Sequence, residues 1–270
     1  MNRYQKLYKT LIPFKHGCFI PFVILGDPSI NTSLKIIDIL IESGADGLEL
    51  GIPFSDPLAD GKIIQNANLR AFSSGISIYK CFKMLHDIRK KHKTIPIGLL
   101  SYANLIFKFG IKDFYLKCSN MDIDSILIAD LPIEESYSFR KYAKICHISP
   151  VFICPPDAEQ NIIKKIAKYS TGYIYLLSRS GVTGIDNEII VPPLYLINKL
   201  KKITNVPIIQ GFGISNTKQI KQIILSGISG IICGSIIIQL IEQYYHDEEK
   251  LIQKIKNLSL SLKKATKIIA

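Results

Sequence analysis

Short apolar runs alternate with longer amphipathic stretches along this chain. Eight runs stand out: Phe19–Leu25, Gly47–Leu50, Ile95–Leu100, Ser125–Ala129, Val151–Ile153, Tyr173–Leu177, Val206–Gln210 and Gly230–Cys233. Runs this apolar suit strands covered on both faces, as in a parallel sheet. Most of the gaps between them read as helices. Leu34, Ile37 and Ile41 recur at helical spacing in Ser33–Glu42, as do Cys81, Phe82, Leu85 and Ile88 in Ile78–His92, and Asn161–Tyr169 and Thr217–Leu225 follow suit. A short amphipathic helix precedes the first strand, with Tyr4, Leu7, Tyr8 and Leu11 on one stripe. Eight strands alternating with helices predict an α/β fold closed into a (β/α)8 TIM barrel rather than an open sheet. The length of 270 residues fits one such barrel, and no low-complexity linker interrupts it, so residues 1–270 are expected to form a single domain.

Turn residues collect after the predicted strands, in Gly26-Asp27-Pro28, Gly51–Gly61, Asp130-Leu131-Pro132, Cys154-Pro155-Pro156, Ser178–Gly184, Gly211–Ile214 and Gly234-Ser235. The longest loops therefore sit at the C-terminal ends of the strands, where barrels place their active sites.

Composition removes several classes of function. The net charge of +12 invites nucleic-acid binding, but of 34 basic residues only Arg3, Arg70, Arg89, Arg140 and Arg179 are arginine. Base-edge and bidentate phosphate recognition favour arginine, and the lysines are scattered over many segments, so no nucleic-acid partner is expected. No apolar run approaches the roughly 18 residues of a spanning helix, and the N-terminus lacks a secretory pattern, so no membrane association and a cytoplasmic location are expected. The six cysteines, Cys18, Cys81, Cys118, Cys146, Cys154 and Cys233, lie apart among apolar segments and read as buried free thiols. The five histidines show no ligand spacing, so no metal site is expected.

Candidate chemistry centres on Glu49, set between Leu48 and Leu50. Side chains alternate along a strand, so the leucines share one face and Glu49 points to the other, into an interior. Burial raises a carboxyl's pKa, which suits a general acid/base near neutrality; a carboxylate satisfied by a neighbouring lysine is the alternative. Asp60 follows in a loop rich in Gly, Pro and Asp, either as the second member of an acid/base pair or as the N-cap of the helix Lys62–Phe72. Asp27, Asp56 and Asp130 read as turn or cap residues.

Three glycine-bearing loops follow predicted strands six, seven and eight: Ser180–Gly184, Gly211–Ser215 and Cys233–Ile236. Glycine lets backbone N–H groups approach a ligand, and a following helix adds its positive end, which suits a phosphate; plain turn glycines are the alternative. Phe22, Leu100, Leu127, Ala129, Ile153, Tyr175, Phe212 and Ile232 fall at predicted strand ends. Phe212, between glycines, and Tyr102, just past a strand, are harder to explain as core. A flat apolar ligand ending in a phosphate fits such a lining.

The segments LELGIPFSDPLADG, IQNA, GLLSYANL, LLSRSGVTG, QGFGIS and CGS stand in an order and spacing that resembles the tryptophan synthase α subunit family over essentially the whole chain. The resemblance implies a lyase of tryptophan biosynthesis that cleaves indole-3-glycerol phosphate, by a retro-aldol reaction, to indole and glyceraldehyde 3-phosphate. Glu49 matches the family's general acid/base and Asp60 the group that binds the indole N–H. Tyr175 matches a tyrosine of the catalytic site. Gly184, Gly213, Gly234 and Ser235 match phosphate-binding positions. Arg179 and Thr183 fall in a loop that the family closes over substrate. The resemblance also implies a β-subunit partner in an αββα heterotetramer, contacted near Pro53, Asp56, Pro57 and Asp130-Leu131-Pro132. No cofactor is implied for this chain; pyridoxal phosphate belongs to the β subunit. An alternative is a catalytically weakened subunit kept to activate or stabilise that partner. The departures from the family are Lys62, where Pro is usual after Gly61, Ser101, where a larger apolar residue is common, and Cys233, where a small residue is usual. Lys62 removes a φ constraint from the Asp60 loop.

Overall fold

The computed structural model describes residues 2–178, 194–211 and 216–267. In chain order its elements are α1 (Arg3–Leu11), β1 (Cys18–Ile24), α2 (Ile30–Glu42), β2 (Leu48–Gly51), α3 (Lys62–Ser73), α4 (Ile78–Lys91), β3 (Ile97–Ser101), α5 (Ala103–Phe109), α6 (Ile111–Asn120), β4 (Ser125–Ile128), α7 (Tyr137–Ile145), β5 (Ser149–Cys154), α8 (Gln160–Tyr169), β6 (Ile174–Leu177), α9 (Leu194–Ile203), β7 (Ile208–Gly211), α10 (Thr217–Leu225), β8 (Gly230–Cys233), α11 (Ser235–Tyr244) and α12 (Glu248–Ala265). The strands pair in parallel and in sequence order, and β8 closes on β1. The predicted (β/α)8 barrel is thus present, with each strand within two residues of its expected limits.

Strands β1, β2, β6, β7 and β8 are buried along their whole length, which explains their apolar runs. Helices cover the outer face of the barrel. Their starts are written locally. Ser29, Ser77 and Asn216 cap α2, α4 and α10 by accepting from backbone N–H groups of the first turn. All six cysteines are buried free thiols, and among the described residues no helix is long and apolar enough to cross a membrane.

The N-terminal helix α1 begins with a reciprocal cap between Asn2 and Gln5. It buries Tyr4 and Tyr8, and Arg3 anchors it to Asp122 and Asp124, just before β4. Tyr4 thereby enters the barrel and bonds the Ser125 hydroxyl at 2.9 Å. The space comes from Gly98 on β3, where a Cβ would lie 2.7 Å from Ser125 Oγ and 3.1 Å from the Tyr4 hydroxyl. Tyr4 also meets Tyr173 edge to face, with ring centroids 5.5 Å apart.

Asp124 is the hub of this end of the barrel. One carboxylate oxygen accepts from Arg89 at 2.7 Å and from the backbone N–H of Ile97 at 2.8 Å. The other accepts from Arg3 at 3.0 Å. Asp124→Ala would leave Arg89 and the Ile97 N–H buried without this partner. The expected cost is about 3–5 kcal/mol of unfolding free energy, measured by urea denaturation against the wild-type chain.

Candidate active site

Glu49 sits in the middle of β2, with Leu48 and Leu50 turned to the opposite face as alternation requires. Its side chain enters the barrel interior and is 1% exposed. Oε1 accepts a hydrogen bond of 2.7 Å from the hydroxyl of Tyr173, which lies just before β6 on the far side of the barrel. Among the described residues Oε2 has no hydrogen-bond partner. The satisfying group is therefore a phenol rather than a lysine. Burial pushes the carboxyl up from an ordinary 4.5 to about 7, and the Tyr173 bond opposes that rise only in part.

Above this carboxylate lies a cavity lined by Phe22, Glu49, Ala59, Asp60, Ile64, Leu100, Leu127, Ala129, Ile153, Tyr175, Ile232, Gly234 and Ser235. It opens at the C-terminal ends of the strands. Phe22 on β1, Leu100 on β3, Leu127 on β4 and Ile232 on β8 supply an apolar wall. Tyr175 lies on β6, two residues beyond Tyr173 and so on the same strand face. Gly211, at the end of β7, gives it room, because a Cβ there would be 2.0 Å from the Tyr175 hydroxyl oxygen.

Asp60 belongs to the loop between β2 and α3. The N-cap of α3 is Gly61, so the Asp60 carboxylate is not spent on capping. Its main-chain carbonyl accepts from Gln65 Nε2 at 2.8 Å, and Asn68 Oδ1 accepts from the Phe54 backbone N–H at 3.1 Å. These bonds tie both halves of the loop to α3. Burial raises the Asp60 carboxyl to about 6, opposed by the nearby Tyr102 hydroxyl. Tyr102 stacks on Phe54, with ring centroids 4.9 Å apart, and backs the loop rather than lining the cavity.

Gly234 and Ser235, which also line the cavity, form the N-terminus of α11. The first backbone N–H groups of a helix have no partner within it, and its dipole is positive there, so this part of the cavity suits an anion. Arg179, Thr183, Gly184, Phe212 and Gly213 lie outside the described residues. Ser101 and Cys233 are buried at the ends of β3 and β8, apart from the cavity lining.

Some readings of the sequence are corrected. Asp27 is not a simple turn residue: its fully buried carboxylate makes two hydrogen bonds to Arg70. Asp130 does act as a cap, though for a distant helix, accepting from the Ala103 backbone N–H at the start of α5 at 2.8 Å. Pro53 is buried rather than presented at the surface, whereas Asp56, Asp130 and Pro132 are exposed. Tyr173 carried no role in the sequence reading. Its signal was the i, i+2 relation to Tyr175, which places both phenols on one strand face.

The family profile described as tryptophan synthase alpha chain matches residues 9–267. The tryptophan synthase alpha chain of Buchnera aphidicola subsp. Melaphis rhois is 73% identical over 269 residues, covering 100% of each chain. That of Shigella flexneri serotype 5b is 53% identical over 268 residues, 99% of this chain and 100% of the relative. Among solved structures, tryptophan synthase subunit alpha from Legionella pneumophila str. Paris superposes with a TM-score of 0.87 at 26% identity, covering 98% of each chain. A chain of the tryptophan synthase complex from Pyrococcus furiosus gives 0.80 at 29% identity, covering 92% of this chain and 98% of that one.

The Glu49 environment has a sign-definite consequence for stability. Between pH 4.5 and about 7 the folded chain holds a proton at Glu49 that the unfolded chain has lost. Stability from this group is thus fully present below the lower value and is lost as pH rises through that window. Glu49→Gln removes the loss. Its gain should be about 3 kcal/mol at pH 8 and about 1 kcal/mol at pH 5, read from urea denaturation at the two pH values.

Lys62 occupies the first position of α3, where proline is well tolerated. Lys62→Pro should stabilise the chain by about 0.4–1 kcal/mol, measured in the same way.

Proposed function

This chain belongs to the tryptophan synthase alpha chain family, and we propose that Glu49 and Asp60 are the acid/base pair with which it works. The reaction of the family is a lyase reaction, the cleavage of indole-3-glycerol phosphate to indole and glyceraldehyde 3-phosphate. The observation that carries the residue assignment is the state of Glu49. It is a buried carboxyl raised to about 7, with one oxygen held by Tyr173 and the other without a partner among the described residues, at the wall of the cavity.

The bond to be broken joins indole C3 to a carbinol carbon. Glu49, protonated, delivers its proton to C3. The ring becomes an indolenine cation whose positive charge centres on nitrogen. Asp60, ionised, accepts the hydrogen bond of the ring N–H and stabilises that charge. Glu49, now a carboxylate, takes the proton of the carbinol hydroxyl. The oxygen's electrons form the aldehyde carbonyl, and the C–C electron pair returns to the ring as neutral indole. Glu49 ends protonated, as it began, so the cycle closes without a cofactor. A pKa near neutrality lets one group serve in both directions.

The apolar wall of Phe22, Leu100, Leu127, Ala129, Ile153 and Ile232 suits the flat indole ring. The α11 N-terminus at Gly234 and Ser235 receives the phosphate, and the resemblance to the family adds Gly184 and Gly213 as phosphate-binding positions. Tyr175 shapes the wall beside Glu49, and the resemblance to the family adds Arg179, Thr183 and Phe212 to the proposed site. The partner is a tryptophan synthase β subunit, as in the complexes formed by relatives, in an αββα arrangement. Its docking surface is the rim beside the cavity mouth that carries Asp56, the exposed Leu58, Asp130 and Pro132. The weakened-subunit alternative is not favoured, because both carboxylates line one cavity.

The test is indole release from indole-3-glycerol phosphate by the purified chain, alone and with a β subunit added. Glu49→Gln should lower the rate by at least about 10²–10⁴-fold while leaving the fold intact, because the amide cannot transfer the proton. Asp60→Asn should lower kcat more than it raises KM, since its charge acts mainly after C3 is protonated. Wild-type turnover by folded Glu49→Gln would refute the assignment.

A further inference from the structure

Two parts of the cavity lining belong to different helices. Helix α3 carries Ile64 and, just before its start, Asp60; α11 starts at the phosphate end with Ser235. Away from the cavity, a polar cluster joins these helices. Glu242, seven residues along α11, places Oε1 2.7 Å from Asn66 Nδ2 and 3.3 Å from Arg70 Nη1. Asn66 and Arg70 are four residues apart on α3 and so share one face. The remaining edge of the Arg70 guanidinium holds the buried Asp27 carboxylate at 2.7 and 2.9 Å. Arg70 is thereby fixed to the loop after β1, and through Glu242 that fixed point is extended to α11.

We propose that Glu242 is a positioning residue. By joining Asn66 and Arg70 of α3 to α11, it sets the separation between the Asp60 end and the phosphate end of the cavity. A substrate that spans both ends then binds in a single register. This rests on the assignment of indole to the Asp60 end and phosphate to the Ser235 end. Glu49 stands on β2, outside the clamped pair, so the proton-transfer group keeps its place when the clamp is loosened.

The geometry separates Glu242 from its neighbours as a target. Substituting Arg70 or Asp27 would strand a buried charge and threaten the fold. Glu242 has a partly exposed side chain, and the Asp27–Arg70 pair stays intact without it. Glu242→Gln keeps an acceptor oxygen for Asn66 and Arg70, whereas Glu242→Ala keeps none.

The experiment is steady-state indole release from indole-3-glycerol phosphate, with inorganic phosphate as a competitive probe of the α11 end alone. Glu242→Ala should raise KM about tenfold and lower kcat by less than about threefold. Inhibition by inorganic phosphate should be unchanged, because phosphate touches one end only. Glu242→Gln should restore most of the KM. A wild-type KM in Glu242→Ala, whatever its thermal stability, overturns the clamp. So does a loss of phosphate inhibition in step with KM, which would mean that the α11 end itself is damaged. The wild-type chain in the same assay is the independent control. If it releases no indole, the assignment of the site falls and the clamp with it; if it turns over normally, a negative result falls on Glu242 alone.

Discussion

Glu49 is buried inside a barrel whose surrounding side chains are mostly apolar, and among the described residues one hydrogen bond, from the Tyr173 hydroxyl, meets its carboxylate. A charge in that position lacks the hydration that would hold its pKa near 4.5, so the carboxyl rises towards neutrality. The same desolvation that destabilises the folded chain at neutral pH makes the group able both to give and to take a proton. Stability and reactivity are set against each other at a single side chain. A second hydrogen-bond donor or a nearby lysine would offset the burial and restore an ordinary carboxylate.

The rest of the lower barrel keeps that arrangement in place. Tyr173 reaches across from just before β6, Tyr4 packs against its edge, and Tyr4 is itself held by Ser125. Tyr4 comes from α1, which is tied down through Arg3 to Asp122 and Asp124. Asp124 also collects Arg89 and the Ile97 N–H. A surface helix and a buried ion-pair hub thus support the phenol that touches Glu49. The N-terminal helix is part of the site's foundation as well as a cover for the barrel.

Above Glu49 the cavity is polarised along its length. Asp60 is raised to about 6 and remains largely ionised near neutrality, one step more acidic than Glu49. Two carboxyls with different burial divide the labour: the deeper one carries the proton, and the other keeps its charge. The lining at Gly234 and Ser235 offers helix N–H groups, and most of the remaining lining is apolar. An elongated ligand with a ring N–H at one end and an anion at the other meets complementary groups along its length.

Much of this was legible in the chain. Continuous apolar runs identified all eight strands to within two residues, because strands covered on both faces have no reason to alternate. Alternation around Glu49 placed it inside, and glycine after strand eight marked the start of α11. The family motifs pointed to the carboxyls and to the anion end. What the sequence by itself could not decide were the contacts made across the barrel. Tyr173 lies 124 residues from Glu49, and no local pattern says which phenol will meet which carboxylate once the strands close into a ring. The N-cap reading of Asp60 and the turn reading of Asp27 were reasonable locally; the cap fell to the neighbouring Gly61, and Arg70, a tertiary partner, took the buried charge of Asp27. Local propensity and periodicity determined the elements and their faces; closure of the barrel decided the pKa of Glu49, since only there is its water removed and one hydroxyl put in its place.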